Sequence, residues 1–351
     1  MLKIGIIGCG TIAQVRHIPE FAANEHCELA AFYSVTPGKA EKMAEAYGGK
    51  GFTDLEAFLN SGLDAVSVCV TNALHASMSV QALDHGLHVL CEKPMAVTLE
   101  ECEAMVEAAK RNGKKLMIGQ NQRFAAAHVE ARKRIERGDI GKILSFDTVY
   151  GHAGPEAWCG QANPWFFDKQ KSVFGVMADL GIHKTDLIHY LLGEPIVKVN
   201  AILATRDKKY PDGSLISIDD NAFCLYETAG GIPGTMHVSW TQYGEEINSV
   251  VIQGSKGVIR CYTDPKYTLI VEKKNGSKEQ LELGTVGNNE DQTSGKLFNS
   301  GVIDSFVDSI RHDTTPPVDG EEAIKAMRVI FAAQESSRTG KCILINQENS
   351  K

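Results

Sequence analysis

The feature that most narrows what this chain can fold into is a regular alternation of short apolar runs and amphipathic stretches over roughly its first third. Candidate strands at Lys3 to Ile7, Leu29 to Ser34, Ala65 to Val70, Leu87 to Cys91 and Leu116 to Gly119 are separated by helix-patterned segments. Those segments run from Ile12 to Ala23, Lys39 to Tyr47, Leu55 to Leu59, Ala76 to His85 and Leu99 to Arg111. Strand, helix, strand in strict succession means a parallel sheet with helices on both faces, because each crossover must return the chain alongside its predecessor. End signals agree with this. Thr53-x-x-Glu56 and Thr98-x-x-Glu101 read as capping boxes, and Gly48, Gly86 and Gly113 stand where helices stop.

The first strand empties into Gly8-Cys9-Gly10-Thr11-Ile12-Ala13. Strand, G-x-G-x-x-A and helix in that order let a backbone without Cβ atoms approach a pyrophosphate, which then sits on the helix N-terminus. A small-residue turn without a ligand has the same letters. After about residue 140 the texture changes to successive strands: Lys142 to Tyr150, Val197 to Thr205, Asn221 to Thr228, Thr235 to Trp240, Ile247 to Gln253, Val258 to Tyr262 and Tyr267 to Glu272. Gly230-Gly231 and Asn275-Gly276 mark hairpins among them. Helices are expected at Val176 to Leu192, Ser300 to Arg311 and Glu321 to Arg338, and the polar stretch Gly284 to Gly295 reads as a loop.

The expected fold is therefore α/β: a doubly wound Rossmann domain over residues 1–122, then an α+β domain over 123–351 built on a large, mainly antiparallel sheet.

Charge and composition remove several function classes. A formal charge of −8 with no basic block beyond Lys110 to Lys115 argues against nucleic acid. No apolar run approaches a bilayer span, and the N-terminus enters a strand directly, so a cytoplasmic location is expected. The nine cysteines are scattered with no C-x-x-C pair, which suits reduced thiols rather than disulfides or a zinc site.

Three constellations could carry chemistry. Strand Leu87 to Cys91 ends in Glu92-Lys93-Pro94, at the carboxyl edge where open α/β sheets hold ligands. There Lys93 is placed to stabilise an oxygen that loses or gains a proton; the plain alternative is a surface lysine paired with Glu92. Asp179 and His183 lie four apart on one helical face that Asp186 and Tyr190 extend, with His183 suited to taking a hydroxyl proton and Asp179 to orienting it. An exposed, merely electrostatic pair is the alternative. The segment Tyr150 to Lys171 offers His152, Trp158 and Trp165, whose polar and aromatic groups suit a carbohydrate or simply pin a loop.

Together with Gln122-Arg123-Phe124 and Asp319-Gly320-Glu321-Glu322, these motifs resemble in order and spacing the glucose–fructose oxidoreductase and inositol dehydrogenase (Gfo/Idh/MocA) family. The resemblance spans nearly the whole chain. It implies NAD or NADP chemistry on sugars and polyols: hydride transfer at a secondary alcohol or ketone, no metal, and a dimer or tetramer formed through the open sheet face. It implies Lys93 and His183 as the proton-handling pair, Asp179 as the substrate-orienting carboxylate, and Arg123 on the substrate side, where the residue types of the Tyr150 to Lys171 segment also place His152 and Trp165. Gly8, Gly10, Thr11, Ile12, Thr71, Asn72, His75 and Glu92 would contact the cofactor. A glycoside-cleaving enzyme that uses NAD transiently, and a non-catalytic sugar or dinucleotide sensor, remain open on the same fold.

Two departures from the family pattern carry expectations. Thr71-Asn72-Ala73 replaces Thr-Pro-Asn, and Phe174 replaces a glycine, which would narrow the substrate pocket. Ser34 stands where an acidic ribose partner would mark NAD, so Ser34 and Lys39 lean the cofactor expectation toward NADP.

Overall fold

A computed structural model describes residues 1–285 and 299–346. Most of the polar stretch Gly284 to Gly295 lies outside the described residues. The chain divides into two compact units, Met1–Asn121 with Asn289–Ile324, and Gln122–Asn288 with Lys325–Lys351.

In the first unit β1 (Leu2–Ile7), β2 (Cys27–Tyr33), β3 (Lys50–Phe52), β4 (Ala65–Val68), β5 (His88–Cys91) and β6 (Leu116–Ile118) form one parallel sheet in the order β3-β2-β1-β4-β5-β6. Strand order reverses between β1 and β4, and the loops leaving those strands frame the crevice where doubly wound sheets bind ligands. Ile4, Ile6, Ile7, Val66, Val68, Val89 and Leu90 are wholly buried, as a sheet covered on both faces requires. Each such side chain contributes about 1.5–3 kcal/mol through burial.

Helices Lys39–Tyr47 and Leu55–Leu59 form where their patterns place them. The second is capped by Asp54, whose carboxylate accepts the Ala57 N–H at 2.7 Å, rather than by Thr53. Thr98 does cap helix Leu99–Asn112, accepting from Glu101 N–H. The segment following residue 299, placed by sequence order in the later domain, packs within this first unit. Ser300 Oγ donates to Glu20, Asn24 to Asp304, and Met117 bridges to Asp319.

The second unit holds β7 (Ile143–Gly151), β8 (Ile196–Ala204), β9 (Asn221–Thr228), β10 (Pro233–Ser239), β11 (Ile247–Gly254), β12 (Gly257–Cys261), β13 (Leu269–Lys273), β14 (Lys278–Leu281) and β15 (Ile343–Leu344). Their order is β14-β13-β12-β11-β7-β10-β9-β8-β15, antiparallel except for the β7–β10 pair. Period-two alternation divides the faces: Ala222, Cys224 and Tyr226 of β9 are buried, and Thr185 of helix Ile182–Leu192 meets the Tyr226 hydroxyl there. On the opposite face Ile202, Phe223 and Leu225 are exposed.

Two helices expected to be continuous are not uniform. The one after the glycine loop contains a π turn at Ala13–His17, and the one carrying Asp179 begins with a π turn at Met177–Gly181 before becoming α-helical over Ile182–Leu192. A π turn accommodates one extra residue and re-aims side chains, and such turns gather at functional sites.

Candidate active site

In the first unit, the loop after β1 separates two reasons for glycine. Gly8 has φ +94°, and a Cβ there would lie 2.6 Å from the Cys69 carbonyl oxygen, so the protein itself requires glycine. At Gly10 a Cβ would come no nearer than 4.0 Å to that same oxygen. The space over Gly10 is open, and exposed Thr11 and half-buried Ile12 begin the helix beyond it. This is a cradle that suits a pyrophosphate lying against backbone.

Beyond β2, Ser34 is buried and its hydroxyl accepts the Thr36 N–H at 3.2 Å, closing a turn, while Lys39 is exposed at the start of its helix. After β4, Thr71 precedes the short turn Asn72–Leu74, in which Asn72 is buried. His75 ties two loops together: its ring nitrogens face the Pro94 carbonyl at 2.7 Å and the Val70 carbonyl at 3.2 Å, and burial lowers its pKa. Both ring nitrogens of His75 are thus engaged with backbone carbonyls.

Glu92 and Lys93 follow β5, and the Lys93–Pro94 peptide is cis. The Glu92 carboxylate is buried; Oε1 meets His17 Nε2 at 2.8 Å and Arg16 at 3.8 Å, and Oε2 accepts the Lys93 N–H at 3.1 Å. Burial works against its charge, but His17, Arg16 and Lys93 outweigh that and hold it well below the usual carboxylate range. Two residues not singled out from sequence follow β6. Gln120 Oε1 and Asn121 Oδ1 are buried with no hydrogen-bond partner among the described residues, acceptors that a carboxamide N–H would satisfy. Their signal was available: side-chain amides directly after an apolar strand at the carboxyl edge of the sheet.

In the second unit, Asp179 sits on the π turn and accepts the Trp240 Nε1–H at 3.0 Å. Trp240 is fully buried, with Phe166 and Phe167 against its ring. It is a further positioning group that sequence reading passed over as a strand end. His183 opens the α-helical segment, buried, its ring 6.3 Å from that of Tyr150. The rest of the expected face is otherwise engaged. Asp186 holds Arg123 in a bidentate pair with both contacts at 2.6 Å, and Tyr190 lies under Arg123 and Arg132. Arg123, expected on the substrate side, is tied by this pair to helix Ile182–Leu192.

His152 Nδ1 accepts the Gly154 N–H at 2.9 Å, shaping its loop. Trp165 stacks on Phe166 with centroids 4.1 Å apart, so it also serves to order the segment. Phe174 is buried, with its ring edge-on to that of Phe331 at 5.9 Å between centroids.

An open cradle at the switch point of a parallel sheet, with a lysine at the end of a neighbouring strand, is the arrangement of a dinucleotide-binding domain, and the second unit by itself carries a histidine and an oriented carboxylate on one helical stretch. Family models confirm the class: residues 2–120 match the oxidoreductase family with an NAD-binding Rossmann fold, and 128–260 match the GFO/IDH/MocA C-terminal domain. The chain belongs to the GFO/IDH/MocA oxidoreductase family.

Among its relatives, D-glucoside 3-dehydrogenase of Escherichia coli K12 is 27% identical, over 97% of this chain and 96% of that one. The scyllo-inositol 2-dehydrogenase (NAD(+)) of Bacillus subtilis 168 is 28% identical over 86% and 84%. The crystal structure of aldose-aldose oxidoreductase from Caulobacter crescentus, complexed with glycerol, superposes with a TM-score of 0.82 at 28% identity, covering 98% and 99%.

Proposed function

We propose that this enzyme oxidises a ring secondary alcohol of a sugar or cyclic polyol, or reduces the corresponding ketone, with NAD(H). The observation that carries this reading is end-to-end similarity to relatives named as glucoside and inositol dehydrogenases, joined to retention of both Lys93 and His183. Retention of both also weighs against a sensor. The expected lean toward NADP finds no support, since the matched model is described as NAD-binding and one relative is named for NAD(+). Ser34 closes its own turn, so its hydroxyl gives no sign of a 2′-phosphate site.

A nicotinamide, when bound, supplies the hydride acceptor or donor. Gly8, Gly10, Thr11 and Ile12 would seat the pyrophosphate, and Gln120 and Asn121 would take the carboxamide. His183 would accept the substrate hydroxyl proton, Lys93 would hydrogen-bond the same oxygen as its charge develops, and Asp179, steadied by Trp240, would hold the substrate in register. Arg123 acts indirectly through Asp186. The exposed Ile202, Phe223 and Leu225 would be covered in a dimer or tetramer, and a reducing compartment such as the cytoplasm suits the cysteines.

The test is a panel of glucosides, aldoses, inositols and sugar phosphates with each cofactor, followed by absorbance of the reduced nicotinamide. Turnover with NAD on at least one cyclic polyol is expected, falling ~10²-fold in Lys93→Met and in His183→Ala with cofactor affinity kept. Cofactor binding without turnover on any member would favour a sensor, and glycoside cleavage with no accumulating NADH would favour the transient-oxidation route.

A further inference from the structure

Two titratable side chains buried in the first unit are in contact with each other. His17 is 1% and Glu92 7% exposed, and they meet at 2.8 Å. His17 lies in the π turn of the helix that begins at the glycine loop, and Glu92 leaves β5 immediately before Lys93. The other ring nitrogen of His17 meets the hydroxyl of Ser67 on β4, also at 2.8 Å. Three successive parts of the dinucleotide-binding unit are therefore tied at one point. The second oxygen of Glu92 accepts the Lys93 backbone N–H, so the carboxylate holds the residue that carries the amine.

We propose that His17 and Glu92 are a positioning pair that fixes Lys93 relative to the dinucleotide loop, and that Glu92 serves the reaction through Lys93 rather than as a cofactor ligand. Both Glu92 oxygens already have partners, one in His17 with Arg16 nearby and the other in the Lys93 N–H. Gly119, on the loop after β6, closes over the carboxylate: a Cβ there would lie 3.4 Å from Glu92 Oε1. Burial disfavours the imidazolium, but the Cys69 sulfur and the Glu92 carboxylate outweigh it and push the His17 pKa up. A buried polar pair of this kind adds little net stability over an apolar pair of the same volume, while its contacts tie the helix after the glycine loop, β4 and the Lys93 backbone at one place. His17 is the last residue of the π turn and is buried there.

The consequence for activity rests on the proposed dehydrogenase reading, but the geometry does not, and the experiment separates them. Amide hydrogen exchange at Lys93 is followed in the parent, Glu92→Ala, His17→Ala and the near-isosteric Glu92→Gln, alongside NADH titration and steady-state kinetics on the best panel substrate. Expected are faster exchange at Lys93 in both alanine variants and NADH affinity within about threefold of the parent. Turnover should drop about tenfold or more, as displacement of a reacting group by a fraction of an ångström produces. The Lys93-dependent limb of the kcat pH profile, identified by its loss in Lys93→Met, should move in Glu92→Gln. Unchanged exchange, or unchanged turnover in folded variants, overturns the proposal. So does a large loss of NADH affinity in Glu92→Gln that His17→Ala does not share, which would make Glu92 a direct ligand. If no sugar turns over, the exchange result still decides the geometry and only the dehydrogenase reading falls.

Discussion

Gly8 and Gly10 look alike in the sequence and differ in the structure, because one is hemmed in by its own protein and the other faces open space. Gly8→Ala would force a Cβ into the Cys69 carbonyl at a positive φ, so it should lower stability by about 1–3 kcal/mol, read as a drop in Tm. Gly10→Val should leave Tm near the parent value and weaken NADH binding at least tenfold, read by fluorescence titration. Intact NADH affinity in Gly10→Val would remove the cradle from the cofactor site. The G-x-G-x-x-A pattern was legible because its letters are local. Which glycine serves the fold and which the ligand was not, since that depends on Cys69, far away in sequence.

Helices show the same division between what local pattern reveals and what packing decides. Lys39–Tyr47 and Leu55–Leu59 were readable to the residue from their apolar spacing, although the second is capped by Asp54 and not by the expected Thr53. The π turns at Ala13–His17 and Met177–Gly181 were invisible, since a pattern read at 3.6 residues per turn absorbs one extra residue without complaint. Helix Ala126–Glu136 went unseen because its buried face is small and partly polar: Ala127, His128 and Ala131. The Arg123–Asp186 pair illustrates long-range logic on helix Ile182–Leu192. Spacing gave Asp186 an outward face, yet the pair is buried, with side chains 6% and 2% exposed. Removing one partner strands the other, so Arg123→Ala or Asp186→Ala should each cost about 3–5 kcal/mol in urea unfolding. Arg123→Met with Asp186→Leu should recover most of that. Equal and additive losses would show that the pair is not an energetic unit.

At the scale of the whole molecule, stability and pH are linked through Lys184, which adjoins His183 yet is completely buried. Its ammonium reaches the Ser249 carbonyl only at 3.4 Å and lies 5.6 Å from the Tyr150 ring centroid. Burial dominates: it lowers the pKa from 10.5 to about 7, against the opposing pull of Cys261 and Glu246. Between those two values the unfolded chain holds a proton on this lysine that the folded chain has released. Folding stability from this group therefore rises as pH climbs from about 7 toward 10.5, and the full cost of burying the charge is present below about 7. Lys184→Met keeps the volume and deletes the proton. Its Tm should exceed the parent's at pH 7 and below, with the gain, worth about 1 kcal/mol or more, shrinking steadily toward pH 10. Only the difference between the two proteins is informative, since other groups titrate over the same range. A gain that stays constant from pH 7 to 10 would mean that Lys184 keeps its proton inside the fold, stabilised by Glu246 and the Tyr150 ring, and the linkage argument would fail.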